Sequence, residues 1–390
     1  MSYKIADFFD SLQDPRRGQG QRHKLSDILI IVIMAILSGH QGLRGFACFA
    51  KANATKLTKV LHLKHGVPCY STFRDIFIGL EEQRVANQFI QWVKGYVPTT
   101  ADDSIAFDGK VIKATSKGGN TSLQNFVSVV SAFGHSSGII YGMKSFENGK
   151  SGEAEALRQL VEQLGLIDKV FTMDALHTQK KTFDLILAVG CHFLAQVKGN
   201  CRKLYEQIAL FTAFTNPIAS CQYDDNKHGY QVTRYIELYI NKIQLPKGWN
   251  GITRFVKVRR EGIREGKIFQ EVSFYVLSKP INSAALVAKM IQEHWSIENK
   301  LHWVKDVNLG EDDMTIKEPK NAALLAYFNN TAMNIPDYYI LLCCLHRCLL
   351  AERTRFSNQL SAYIFLLSLA AGLLSKLSFF HTSGQEGEKL

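Results

Sequence analysis

The stretch His294-Trp295-Ser296-Ile297-Glu298-Asn299-Lys300-Leu301-His302-Trp303-Val304-Lys305 gathers more chemistry than any other in this 390-residue chain. Read as a helix, it sets His294, Glu298, His302 and Lys305 on one side, with Trp295 beside them, and Ile297, Leu301 and Val304 on the other. A carboxylate among rings is costly to bury alone, so Glu298 needs a cation, a hydrogen bond or a metal. Two aspartates, Asp108 and Asp174, each close an apolar strand-like run, 104–108 and 169–174. In open α/β sheets functional groups collect beyond the carboxyl ends of strands. Both aspartates would meet there if their strands are neighbours, and a helix packed across that edge would add Glu298. Three converging carboxylates repel one another unless cations intervene, and an all-oxygen site suits Mg²⁺ or Mn²⁺. Two such ions, about 3.5–4 Å apart, serve in-line displacement at phosphorus.

Each residue also has a plainer reading. An aspartate after a strand is often a turn or helix cap, and Glu298 is equally suited to a structural ion pair with Lys305 or His302. Trp295 and Trp303 suit stacking on unpaired bases, although an indole on a helix face is more often core. His294, Glu298 and His302 at steps of four also suggest the ligand set of a metal-dependent small-molecule hydrolase. Successive turns, however, spread three such ligands along about 12 Å of helix axis.

The elements that must position these groups change character along the chain. Residues 14–24, with Arg16, Arg17 and Arg22 among glycines, read as a mobile basic arm suited to phosphates. An apolar core helix follows at Leu25–Leu37, with Ser26-Asp27 as its cap. Periodic segments at 42–61 and 70–97 complete an all-helical N-terminal domain, and Pro98 to Asp103 breaks the pattern. Strands at 104–108, 124–133 and 138–146 form a meander. A helix at 152–165, a strand at 169–174, a helix at 181–189 and a strand at 191–197 continue as α/β. Residues 203–278 read as a β-rich insertion with a long hairpin around 260–267, after which helices return at 284–304 and 320–333. The expected domains are 1–97 helical, 98–202 the first part of an α/β core, 203–280 the insertion, 281–334 the helical completion of the core, and 335–390 an apolar tail.

A formal charge of +11 favours an anionic partner, nucleic acid first. Eight cysteines without a CxxC pair imply reduced thiols, and the first residues carry no signal-peptide pattern, so the expectation is a cytoplasmic protein. The apolar run 363–380 is interrupted by Ser368, Ser375, Lys376 and Ser378 and is read as a packing helix, with no membrane as partner.

Together, several motifs resemble the bacterial insertion-sequence transposases of the H-repeat-associated type, DDE enzymes with a ribonuclease-H-like core. They are Ser71-Thr72-Phe73-Arg74, Ile105-Ala106-Phe107-Asp108-Gly109-Lys110, Met173-Asp174-Ala175-Leu176-His177-Thr178-Gln179-Lys180, Phe193-Leu194-Ala195-Gln196-Val197-Lys198-Gly199-Asn200, and His294 to Asn299 with Leu301-His302-Trp303-Val304. The resemblance covers about residues 10–334. It implies Asp108, Asp174 and Glu298 as catalytic residues holding two Mg²⁺ or Mn²⁺ ions, and the gap between the second and third has room for a β insertion. It implies double-stranded DNA, element ends and target, as partner, self-association on that DNA, and a bacterial, nucleoid-associated location. The candidate DNA contacts are Lys110, Lys113, His177, Gln179, Lys198, His294, Trp295, His302 and Lys305, with Arg16, Arg17 and Arg22. Two departures stand out: Gln292 replaces an arginine usual in the family, and the tail after Asn334 has no family counterpart. The tail motivates a second reading, a catalytically decayed DNA-binding remnant or a repressor of transposition.

Overall fold

A computed structural model of the chain describes residues 5–96, 103–117, 125–148, 152–225, 231–264 and 266–335. Most of the expected boundary at 98–103 and nearly all of the tail lie outside these residues. They divide into two compact units. One draws on 1–98, 111–127 and 303–390, the other on 99–110 and 128–302.

In the first unit α1 (Ile5–Asp10), α2 (Leu25–Leu37), α3 (Gly42–Ala52), α4 (Ala54–Val60), α5 (Tyr70–Gly79) and α6 (Glu82–Tyr96) are joined by the late helix Pro319–Met333. Aromatic side chains knit them. Phe8 stacks on Trp92 with ring centres 5.7 Å apart, and Phe328 of the late helix meets Phe9 at 6.4 Å and Phe77 at 5.4 Å. The N-terminal stretch is therefore not a free arm. Phe8 and Phe9 are buried, and Arg16 closes the following loop by holding both carboxylate oxygens of Asp14 and donating to the His23 carbonyl at 2.7 Å. The cap expected from Ser26-Asp27 is also absent, since α2 starts after Lys24 without a side-chain cap. The segments read as single helices break at Asn53 and at Leu80-Glu81.

The second unit is built on a nine-stranded mixed sheet. Its strands are β1 (Ile105–Lys117), β2 (Asn125–Gly134), β3 (Ile140–Glu147), β4 (Val170–Met173), β5 (His192–Val197), β6 (Ala219–Asp224), β7 (Gln231–Ile240), β8 (Arg254–Arg264) and β9 (Lys267–Leu277), in the order β3-β2-β1-β4-β5-β9-β8-β7-β6. The ends of β1 and β2, 111–117 and 125–127, group with the first unit. β1 runs on through Asp108 rather than stopping there. β4 lies parallel to β1 and to β5, and short strands covered on both faces read as nearly continuous apolar runs. On one face Phe107, Phe171 and Phe193 are buried beneath α7 (Glu153–Leu164) and α8 (Lys180–Ala188), whose Phe183 stacks on Phe193 at 3.8 Å. On the other, α10 (Ala284–His294) covers Val170, Leu194, Ile236 and Val256. The expected β-rich stretch opens instead with a helix, α9 (Arg202–Phe214). Its strands extend the core sheet directly, because β9 pairs antiparallel with β5 from Leu194↔Leu277 to Val197↔Phe274. The hairpin between β8 and β9 turns tightly at Gly266, whose φ of +74° suits a residue without Cβ.

Among the described residues no single helix is long and apolar enough to cross a membrane, and the five described cysteines are free thiols.

Phe193 is fully buried and stacks on Phe183 of α8, so Phe193→Ala is expected to lower unfolding free energy by about 3–5 kcal/mol, read as a lower urea midpoint at unchanged slope.

Candidate active site

Pairing of β1 with β4 matches Phe107 to Met173, so the next residue on each chain is an aspartate. Alternation turns Phe107 and Met173 into the core and Asp108 and Asp174 to the opposite face, on neighbouring strands about 5 Å apart. Thr172, two residues before Asp174, shares that face. Asp174 also fulfils the plainer role, since its Oδ1 accepts the Leu176 N–H at 3.0 Å and caps the short turn Ala175–His177. That turn is braced by Asn200, donating to the Ala175 carbonyl at 2.6 Å, and by Thr178, donating to the Gln196 carbonyl at 2.7 Å. Both braces join residues of the quoted motifs.

After α10 the chain does not continue as a regular helix. It widens into two π-helical turns, Glu298–His302 and Val304–Asn308, a distortion frequent at functional sites. His294, at the end of α10, brings Nδ1 to 3.0 Å from Thr172 Oγ1, and His302 brings Nε2 to 3.0 Å from Asp108 Oδ2. Glu298, midway between them, is exposed. His302 therefore pairs with Asp108 rather than with Glu298. Among the described residues no three His, Cys, Asp or Glu side chains are drawn together closely enough to hold a metal. The hydrolase reading loses its ligand set, because His294 and His302 turn to Thr172 and Asp108 while Glu298 is exposed.

Behind the aspartates lies a buried polar chain that sequence reasoning missed. Thr172 Oγ1 also meets His135 Nε2 at 2.9 Å, and His135 Nδ1 lies 3.5 Å from Glu293 Oε2. One hydroxyl between two ring nitrogens donates to one and accepts from the other. On the opposite side Glu153 Oε1 lies 3.0 Å from His177 Nε2, and the Glu153 carboxylate packs on Gly109, where a Cβ would come within 2.3 Å of it. The only sequence signals were position: Thr172 two residues before Asp174, Glu293 beside His294, Gly109 after Asp108.

Burial pushes the Asp108 carboxyl up, but the hydrogen bond and charge of His302, the Gly109 N–H and the His294 ring outweigh it, leaving the group below its ordinary value. Burial lowers His294, against the pull of Asp108 and Asp174. Burial and the His294 ring, with Lys300, push His135 down to about 3 against Asp103.

Several expected DNA contacts are placed out of reach. His177, His294 and His302 are buried, Arg16 is engaged with Asp14, and Lys305 is wholly buried. Gln179 is half-buried and donates to the Leu176 carbonyl. Lys110 is half-buried. Lys113 is exposed but paired with Asp312 at 2.5 Å. Arg17, Arg22 and Lys198 are exposed. Trp295 and Trp303 are 45% and 53% exposed, so neither indole is core.

Comparison with known proteins gives the family. A family model described as "Transposase DDE domain" matches residues 100–335, and one described as "DDE_Tnp_1-associated" matches residues 6–93. The chain belongs to the DDE transposase family. Among its relatives, the "H repeat-associated putative transposase YhhI" of Escherichia coli strain K12 is 28% identical over 342 residues, covering 85% of this chain and 90% of that protein. The "Putative transposase YncI" of Escherichia coli O157:H7 is 27% identical over 346 residues, covering 85% and 86%.

The His135 value sets a pH dependence. The ring stays neutral in the fold to about pH 3 but titrates near 6.5 when unfolded, so its contribution is complete above 6.5 and declines as pH falls toward 3. Between pH 7 and 4.5 the wild type should lose about 2–3 kcal/mol more stability than His135→Gln, measured by urea unfolding at both pH values.

Proposed function

We propose that this chain is a DNA transposase that binds the ends of its insertion sequence, hydrolyses a phosphodiester there, and joins the freed 3′ hydroxyl to target DNA. The observation that supports the reading is the parallel register of β1 with β4, which sets Phe107 opposite Met173, the residues before Asp108 and Asp174. The strand order β3-β2-β1-β4-β5, with β4 parallel to both its neighbours, supports a ribonuclease-H-like core.

The donors are of the chemical kind divalent ions take, hard carboxylate oxygens, and among the described residues they are not gathered into a three-ligand set. Asp108 is held ionised, and Glu298 lies exposed on the turn whose flanking histidines touch β1 and β4. Asp108, Asp174 and Glu298 would hold two ions, Mg²⁺ or Mn²⁺, which when bound supply an activated attacking oxygen and a stabilised leaving oxygen. The protein's own part is positional. The Leu176 N–H fixes Asp174 through one oxygen and leaves the other to a ligand, and His302 does the same for Asp108. DNA is met by exposed groups: Lys198 and Trp295, with Arg17 and Arg22 for backbone phosphates. Joining two ends calls for self-association on DNA.

On labelled DNA bearing the element's ends with Mg²⁺ or Mn²⁺, Asp108→Asn, Asp174→Asn and Glu298→Gln should each lower nicking by more than about 100-fold while end binding is retained. Nicking that survives in all three would sink the carboxylate site. A wild type that binds ends and never nicks them would favour the binding-only reading.

A further inference from the structure

Glu298 sits between two histidines tied to two different strands. His294 reaches β4 through Thr172, two residues before Asp174, and His302 reaches β1 at Asp108 itself, each at 3.0 Å. Both rings are almost entirely buried, and each is four residues from Glu298. We infer that His294 and His302 are positioning residues which staple the turn carrying Glu298 across β4 and β1, and so set where the third carboxylate meets the two aspartates. This inference rests on the metal-site reading above.

Two attachments do what one cannot. A single hydrogen bond would leave the turn free to roll about it, whereas two, eight residues and about 12 Å apart along the axis, fix both its direction and its roll. An unbroken α-helix would set His294, Glu298 and His302 on one stripe, all facing the sheet. The wider turn at Glu298–His302 lets His302 reach Asp108 while Glu298 stays exposed. Histidine suits both posts: a short rigid ring presents one nitrogen to Thr172 or to Asp108 at a fixed direction. The second nitrogen of His302 is buried without a hydrogen-bond partner, so Asp108 is the contact that determines this ring's place. A histidine bonded to a ligating carboxylate orients it without touching the metal. Burial removes both rings from DNA.

The full-length protein without DNA allows two readings: amide hydrogen exchange over residues 295–302, and Mn²⁺ affinity from the electron paramagnetic signal of free ion. His302→Ala and His294→Ala should speed exchange in that segment, leave exchange in β7 and β8 unchanged, and weaken Mn²⁺ binding about 10–100-fold. His302→Gln and His294→Asn, which return an amide group near the lost ring nitrogen, should recover most of both. Glu298→Gln should weaken Mn²⁺ without speeding exchange. Unchanged exchange in both alanine variants would overturn the staple, and so would full Mn²⁺ affinity in a segment that has come loose. If the wild type binds no Mn²⁺, the metal reading of the preceding section fails, and exchange alone then decides whether the two rings hold the turn.

Discussion

The parallel register of β1 and β4 sets Phe107 opposite Met173, so that Asp108 in β1 and Asp174 just beyond β4 follow a matched pair, and the surroundings of the second unit's centre follow from accommodating them. Each is held by a different device. Asp174 is held by a backbone N–H in an irregular turn after β4, and Asp108 by an imidazole delivered from nearly two hundred residues further on. The first device is local and the second is not. The position of one aspartate is therefore settled by its own loop, while that of the other depends on the chain returning across the sheet.

That difference explains how much of the site was legible in the sequence. Asp174 could be read because an apolar run followed by a small turn is a local signal. Asp108 was read for a partly mistaken reason, since its strand does not end there, and only pairing with β4 makes it a neighbour of Asp174. The polar face of the 294–305 stretch was legible as a set of residue types but not as a set of directions. Nothing in the sequence announces the change from α to π turns, the burial of Lys305 or the exposure of Glu298. His135 carried no signal and Thr172 only its position before Asp174, because a buried hydrogen-bond chain becomes visible only when the end of β2, β4 and α10 are brought together.

The fold divides the same way. Helices with strong apolar periodicity and the β2–β3 meander follow from local pattern. The basic residues after Asp14 concealed a folded segment, because Arg16 faces inward to Asp14 instead of outward. The stretch from 203 was read as separate because it is rich in strands. Its β9 instead adds to β5, a pairing between residues about eighty apart that no local pattern encodes.

That pairing bears on the order in which the molecule can come into being. β5 is synthesised with one edge open, and its partner β9 appears only after α9 and three further strands have been made. Long-range pairings of this kind fold late. α10, with His294, follows β9, and His302 comes later still, so a growing chain carries both aspartates for more than a hundred residues before the groups that orient them exist. The centre of the second unit is thus the last part of that unit to be finished, and a chain released before residue 302 holds the aspartates without the means to arrange them.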